Sequence, residues 1–450
     1  MSTLQTWVIA MSSSQIRSFR HTATLVALEI ETALCDVAAA VEKEAEVVGR
    51  QREGEKKRKA SNKAGGARDK ELEAKAQEIR ERRTKLAEYL KEFVDGLVFV
   101  VRLVLKFIIN YFSPSSVFVH RYRDLDPTIR AECVRAIGAW FKKYPGHFLD
   151  ASYLRYVGWV LSDSTTPVRV EAVKSLSGVY AQADYIGSLN HFTERFKPRL
   201  IEMAIGDTEL AVRVAVIQVL GAIDGHSLLE DEEREKMCLL VFDEEAKVRK
   251  AVSGFVRGVW EEGVEERLVG RGKPSEEDRQ RAGVKALSVL LVKWGRVLDS
   301  LVGEPEESEL GDDDDEQVNR GVGVEVPPRP GKMKRKEVRA LVDADHKGRT
   351  ALAVEALWEE VECVRDWEGL LEVLLLDHSA AEGVAGKRQR ANGKARKRAE
   401  EEVDEAWRLD EVEESVLLEV LVAALRRAKA EVAGSKKVNT IAYVILLLVS

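Results

Sequence analysis

Four times along the chain an Asp stands six residues ahead of an Arg that an aliphatic residue directly precedes. The copies are Asp124 to Ile129-Arg130, Asp163 to Val168-Arg169, Asp207 to Val212-Arg213, and Asp243 to Val248-Arg249. Successive arginines are 39, 44 and 36 residues apart. A period of that length marks stacked helix pairs, each burying its apolar face against the next. After each Arg an apolar stripe follows at helical spacing: Cys133, Val134 and Ile137; Ala172, Val173 and Leu176; Val216, Ile217 and Leu220. The fourth copy keeps Val252 and Val256 with Ser253 between them. This is the spacing of one buried helix face. Each Asp falls in the turn before its helix, where a carboxylate can accept backbone N–H groups and sits at the positive end of the helix dipole. The Arg can then reach the Asp of a neighbouring copy, which predicts a ladder of ion pairs along the stack. The expected fold is all-α, a HEAT-like helical-repeat solenoid.

Composition agrees with a helical chain. Of 450 residues, 33% are charged, 6% aromatic and only 10 are proline. The net charge of −7 conceals segregation. Residues 50–70 carry nine Lys/Arg against three acids, 304–316 carry nine acids and no base, and 383–399 carry seven bases and no acid. Such patches, rather than the net charge, predict partners. Cys35, Cys133, Cys238 and Cys363 lie far apart without CxxC or Cys/His spacing, so buried free thiols in a reducing compartment are expected and zinc is not. The N-terminus lacks a basic start with an apolar core, and no secretion signal is read there. Two apolar runs, Leu97–Phe112 with its Arg102 and Lys106 and Thr440–Val449, are shorter than the roughly 20 residues of a membrane span.

These features divide the chain. Residues 1–96 read as N-terminal helices, amphipathic over 15–48 (Leu25, Leu28, Ile30, Leu34), then a charged helical stretch interrupted at Gly54 and at Ala64–Ala67. Residues 97–116 read as an apolar insertion, with a buried helix and a gene-model artefact as its two readings. The repeats occupy 117–302, an acidic, Pro- and Gly-rich disordered linker 303–336, and a C-terminal helical region with a basic tract 337–450.

One stretch is more specific than a generic repeat. It runs Val117-Phe118-Val119-His120-Arg121-Tyr122-Arg123-Asp124, Trp140-Phe141-Lys142-Lys143-Tyr144-Pro145, Tyr153-Leu154-Arg155-Tyr156-Val157-Gly158-Trp159 and Phe192-Thr193-Glu194-Arg195-Phe196-Lys197. It closely resembles the stromalin conservative domain of the cohesin subunit SA (STAG, or stromalin) family. Upstream, Ile16-Arg17-Ser18-Phe19-Arg20-His21-Thr22-Ala23-Thr24-Leu25 resembles that family's STAG domain. The resemblance covers about 15–50 and 117–225; Arg349–Trp358 and Trp367–His378 look similar to fungal members. The chain departs from the pattern in the run before Phe118, in Val438–Ser450, and in being short.

The resemblance implies a nuclear, chromosome-associated subunit without enzymatic activity or cofactor. Its implied partners are the kleisin subunit of cohesin and through it the SMC ring, double-stranded DNA, and regulatory proteins with aromatic-pair peptide motifs; no membrane is implied. Sister-chromatid cohesion and chromosome organisation follow as expected roles. Carried over by residue, the peptide surface comprises Tyr122, Tyr156, Trp159, Phe192, Arg195 and Phe196, with Ala151 standing at an acidic family position whose polar contact is either missing here or supplied by Asp150. Rigid aromatic rings suit an aromatic anchor, and an Arg supplies hydrogen bonds or stacking; the competing reading is that several of these rings are plain core.

Two basic clusters complete the candidates. Arg50, Arg52, Lys56, Lys57, Arg58, Lys59, Lys63, Arg68 and Lys70 concentrate charge on a helix-turn region, suited to phosphate neutralisation rather than base reading. A solvated charged helix is the alternative. Arg17, Arg20, Lys142, Lys143, Lys197 and Arg199 are candidate extensions of that surface. Lys387, Arg388, Arg390, Lys394, Arg396, Lys397 and Arg398 read as a bipartite nuclear-import tract, against a basic disordered loop. The acidic run Asp312–Glu316 lacks the spaced ligands and turn glycine of a calcium loop, and Asp377-His378-Ser379 is too local to form a triad. A HEAT-type transport or scaffold adaptor without DNA binding is the competing function.

Overall fold

The computed structural model describes residues 2–61, 67–95, 121–270, 272–303, 348–376, 378 and 406–434. The apolar insertion, the acidic linker (except Gly303), the basic tract 383–399 and residues 438–450 lie outside them, as does Lys63. The described elements are helices joined by turns, with no strand among the described residues. The chain forms two compact units, Met1–Leu200 and Ile201–Ser450.

In the first unit, α1 (Ser2–Ser12) packs on α2 (Arg17–Ser61), which pairs with α3 (Ala67–Asp95). The ion pairs fix their direction. Glu42 meets Arg83, Glu44 meets Arg82, Arg52 meets Glu73 and Glu55 meets Arg68, so the two helices run antiparallel over a seam of Val41, Val48 and Ile79. Gly54 was expected to interrupt this stretch, but α2 continues through it. A single glycine costs a helix about 1 kcal/mol relative to alanine, less than the burial along the seam supplies. Next come α4 (Pro127–Lys143), α5 (Pro145–Phe148), α6 (Ala151–Val160), α7 (Thr166–Tyr180) and α8 (Ile186–Gly206), the last beginning in this unit. Helices α2 and α7 both pack on α4. At the α4–α7 contact a Cβ on Gly138 would lie 2.2 Å from Ser175 Oγ, so only glycine permits this approach. Trp140, fully buried, donates from Nε1 to Thr32 Oγ1 at 2.9 Å.

The second unit contains α9 (Leu210–Asp224), α10 (Asp231–Cys238), a 3-10 turn at Leu239–Phe242, α11 (Ala246–Leu268), α12 (Glu276–Gly303), α13 (Arg349–Leu357), α14 (Glu362–Arg365), α15 (Trp367–Leu374) and α16 (Glu411–Gly434). Helix α11 packs against α9, α12 and α13, while α16 covers α12, α13 and α15. The stripe residues of all four copies are buried in their helices, including Ser253 in the loosest one. The four cysteines are free and buried, and burial pushes their thiols up from the ordinary value.

The ladder has a repeated geometry. In each copy the Asp carboxylate accepts the N–H two residues on: Asp126 to Asp124, Thr165 to Asp163, Glu209 to Asp207 and Glu245 to Asp243, at 2.8–3.0 Å. Those four acceptor-bound residues are themselves the helix N-caps, so the Asp locks the turn one step before the cap. The Arg six residues on turns back to the Asp carbonyl: Arg130 Nη1 to Asp124 O at 2.7 Å, Arg169 Nη1 to Asp163 O at 3.0 Å and Arg249 Nη1 to Asp243 O at 2.7 Å. Arg213 differs, reaching Ala204 O from Nε at 3.0 Å. At Arg130 and Arg213 the rest of the guanidinium crosses to the Asp of the next copy. Arg130 holds Asp163 through Nε and Nη2 at 2.7 and 2.8 Å, and Arg213 holds Asp243 through both Nη atoms. Bidentate pairing of this kind is both strong and directional.

A fifth rung escaped the sequence pattern because a serine replaces the Asp. Ser14 Oγ accepts Ile16 N–H, Arg20 Nη1 donates to Ser14 O at 3.1 Å, and Arg20 Nε donates to Asp124 at 2.9 Å. The ladder therefore starts at the entry to α2.

Candidate partner-binding surfaces

Asp150 caps α6, accepting Ser152 N–H at 2.9 Å. Hydrogen bonds from the Ser152 side chain and backbone hold its carboxyl below the usual carboxylate range. On the helix it starts, Tyr156 is buried and Trp159 half-buried. Tyr122, immediately before the Asp124 turn, completes the cluster. Its ring centroid is 4.9 Å from that of Tyr156 and 6.3 Å from Trp159, with which it stacks at 20°; Tyr156 meets Trp159 edge-on at 5.7 Å. Two exposed arginines flank the rings. Arg123 lies 5.1 Å from the Tyr122 centroid and 5.3 Å from Trp159, while Arg155 lies 5.1 Å from Tyr156 and 5.7 Å from Trp159. Both distances to the indole are within cation–π range. Burial raises the Tyr122 phenol, and the neighbouring Arg123 opposes that rise.

Phe192 and Phe196 are buried in α8, 4.8 Å apart, and the exposed Arg195 guanidinium stands 5.4 Å from the Phe196 ring. Phe196 seats on α6 at Gly158, where a Cβ would lie 2.3 Å from the ring. Gly158 thus joins the two groups beside Trp159. Of the six carried-over residues, Tyr122, Tyr156, Phe192 and Phe196 form the buried floor, whereas Trp159 and Arg195 reach the surface. The sequence comparison passed over Arg123, Arg155 and Gly158. The Arg155–Trp159 spacing of four on one helix was the available signal.

The basic cluster sits at the tip of the α2–α3 hairpin. Arg50, Lys56, Lys57, Arg58, Arg68 and Lys70 are exposed; Arg52 is half-buried and paired with Glu73. Arg58 and Arg68 share Glu55, at 3.3 and 3.6 Å. The side chains of Lys59 and Lys63 fall outside the described residues. The candidate extensions are mostly committed within the chain. Arg17 pairs with Asp126, Arg20 with Asp124 and Lys143 with Asp36. Lys197 is buried beside Glu194, and Arg199 donates to Leu161 O at 3.4 Å. Among them Lys142 is exposed, its stem lying over Gly178. The nuclear-import tract, Lys387 to Arg398, lies outside the described residues. No described helix is long and apolar enough to cross a membrane.

The described residues define a helical-repeat protein with an aromatic, arginine-flanked patch. The STAG domain profile matches residues 1–75 and the stromalin conservative domain profile residues 123–197. The patch residues Tyr156, Trp159, Phe192, Arg195 and Phe196 all lie within the second match. Cohesin subunit psc3 of Schizosaccharomyces pombe is 37% identical over 265 residues, covering 59% of this chain and 25% of that protein. Cohesin subunit SA-1 of Xenopus laevis is 27% identical over 431 residues, covering 95% of this chain and 27% of that protein. The solved structure of cohesin subunit Scc3 from Z. rouxii superposes with a TM-score of 0.60 at 21% identity, covering 94% of this chain and 40% of that one, and shares the fold. The chain thus carries matches to the STAG and stromalin conservative domains and is similar to cohesin SA, Scc3 and psc3 subunits. It spans about a quarter of the length of the curated relatives named above.

Proposed function

We propose that the chain acts as a non-enzymatic subunit of the cohesin complex in the nucleus, on chromosomes, supporting sister-chromatid cohesion and chromosome organisation. Its partners in this reading are the kleisin and, through it, the SMC ring, together with double-stranded DNA and regulatory peptides carrying an aromatic pair. Residues 1–96 and 117–302 serve as the two binding regions. The observation that carries the reading is the half-buried Trp159, set between Arg123 and Arg155 on a floor of Tyr122 and Tyr156. An aromatic side chain entering this patch meets rings that are already ordered, so little side-chain entropy is lost on binding, and Arg195 supplies donors at its margin.

Replacing Trp159 and Arg195 together by alanine abolishes capture of an aromatic-pair peptide while helicity stays unchanged. Retained capture would place the pocket elsewhere. DNA contact is assigned to the α2–α3 tip through phosphate neutralisation. Each lost phosphate contact removes about 0.9 from the slope of log K against log salt. Lys56→Glu with Lys57→Glu therefore flattens the slope by about 2, and an unchanged slope rules the tip out. A chain that captures peptide yet has no affinity for duplex is instead the transport or scaffold adaptor.

A further inference from the structure

The last described rung of the ladder is built differently from those at Arg20, Arg130 and Arg213. Arg249 keeps the repeat's backbone contacts, donating from Nη1 to Asp243 O at 2.7 Å and Glu244 O at 2.8 Å. Arg130 does the same with Asp124 O and Leu125 O, and Arg20 with Ser14 O and Gln15 O. The outward edge is where they part. In Arg20 and Arg130, Nε and Nη2 together grip one carboxylate, and in Arg213 Nε is occupied by Ala204 O. Arg249 Nη2 instead makes a single bond to Glu355 Oε2 at 2.6 Å, and its buried Nε has no hydrogen-bond partner among the described residues.

Burial separates the acceptors as sharply. The carboxylate side chains that close the other rungs, Asp124, Asp163 and Asp243, are 2%, 11% and 3% exposed, whereas Glu355 is 46% exposed. Arg249 itself is 4% exposed. The buried cation is thus held by one mobile-length, solvated side chain, though an unpaired donor on a buried guanidinium is costly. Beside it lies a cavity of about 170 Å³ lined by Arg249, Lys250, Ser253, Glu355, Trp358 and Arg427. The other acids on its wall are engaged, Glu359 with Lys250 at 3.7 Å and Glu360 with Arg257 at 2.8 Å. Arg427 pairs with Glu431 at 3.7 Å.

We propose that this cavity is an oxyanion-binding site that completes the ladder: an incoming carboxylate takes the Nε–Nη2 edge of Arg249 in place of Glu355. The preferred source is an Asp-bearing turn of a partner protein, with the chemistry of the turns that close the internal rungs. Glu355 acts as a placeholder that neutralises Arg249 until the ligand arrives. Lys250 and Arg427 supply further donors.

Two probes distinguish the source of the oxyanion. One is a blocked synthetic peptide with the sequence of residues 160–168, whose aspartate closes the Arg130 rung, compared with its Asn counterpart. The other is inorganic phosphate, titrated separately in a buffer free of oxyanions. Calorimetric titration of the full chain is expected to show saturable binding of the aspartyl peptide and none of the Asn peptide. Glu355→Gln, which removes the competing carboxylate, tightens that binding at least threefold. Arg249→Lys, which keeps the charge but lacks the fork, weakens it at least tenfold. The same responses for phosphate, with the aspartyl peptide inert, support the site and assign it to a free anion. Binding of both probes that is indifferent to Glu355→Gln, or absence of binding to that correctly folded variant, overturns the proposal.

Discussion

The rung between Arg130 and Asp163 offers a quantitative test of how the stack is held. Its two N–H···O contacts are 2.7 and 2.8 Å long, and the side chains are 14% and 11% exposed. Asp163→Asn keeps an oxygen to accept Thr165 N–H, found at 2.8 Å in the native turn, so local geometry survives while the charge is lost. Stranding one member of a fully buried ion pair costs about 3–5 kcal/mol; the residual exposure here lowers the expectation to about 2–3 kcal/mol. Arg130→Met costs more, because it also removes the contacts to Asp124 O and Leu125 O. The double variant should recover part of the loss, giving a coupling energy of about 1.5–3 kcal/mol. Urea unfolding of the wild type and three variants, followed by tryptophan fluorescence, measures it. Burial alone would raise the Asp163 carboxyl, but the hydrogen bonds from Arg130 and the Thr165 backbone outweigh it and hold the group below its ordinary value of 3.8. Its folded pKa being depressed, the rung contributes fully above about pH 4 and fades as the pH falls through the folded value. A coupling below about 0.5 kcal/mol at pH 7, or one that does not weaken on acidification, refutes the ladder as a source of stability.

Other consequences are independent of that rung. Glu31 sits on the buried stripe of α2 with neither carboxylate oxygen hydrogen-bonded among the described residues, and burial pushes it up from 4.5 to about 9. Its folded pKa being raised, it weakens the fold progressively as the pH climbs from about 4.5 towards 9; Glu31→Gln should therefore stabilise by up to about 3 kcal/mol at pH 7 and by little at pH 5, read as a pH-dependent difference in urea midpoint, and parallel midpoints would contradict this. Gly138→Ala forces its methyl into Ser175 and should cost about 1–3 kcal/mol, partly regained by Ser175→Gly in a thermal melt. Gly158→Ala displaces the Phe196 ring and should weaken aromatic-peptide capture several-fold without altering the circular dichroism spectrum.

The fold was legible because the repeat encodes it twice. The apolar stripes state which face is buried, and the Asp–Arg spacing states how one turn binds the next. Both patterns are local, so a single sequence carries them. What stayed hidden depends on atoms far apart in the chain. Ser14 replaces the Asp of the first rung, and its role becomes visible only once Arg20 is seen between its carbonyl and Asp124. Gly54 read as a break because a glycine's local preference ignores the α3 seam that holds α2 straight through it. At the aromatic patch the residue types were readable, but the sorting of floor from surface was not. Phe196 is drawn inward onto the bare backbone of Gly158, a packing relation between two helices, and Phe192 packs on its ring. The ion pairs of the candidate extensions were hidden for a similar reason: Arg17, Arg20 and Lys143 meet carboxylates more than a hundred residues away in the chain.

Amide hydrogen exchange of the full chain, with and without an aromatic-pair peptide, addresses the proposed role most directly. Added protection is expected in α6, Ala151–Val160, and in the Phe192–Phe196 turn of α8, and should vanish in the Trp159→Ala, Arg195→Ala double variant. Protection confined to other helices, or unchanged by that variant, would contradict the assignment of this face as the partner-binding surface.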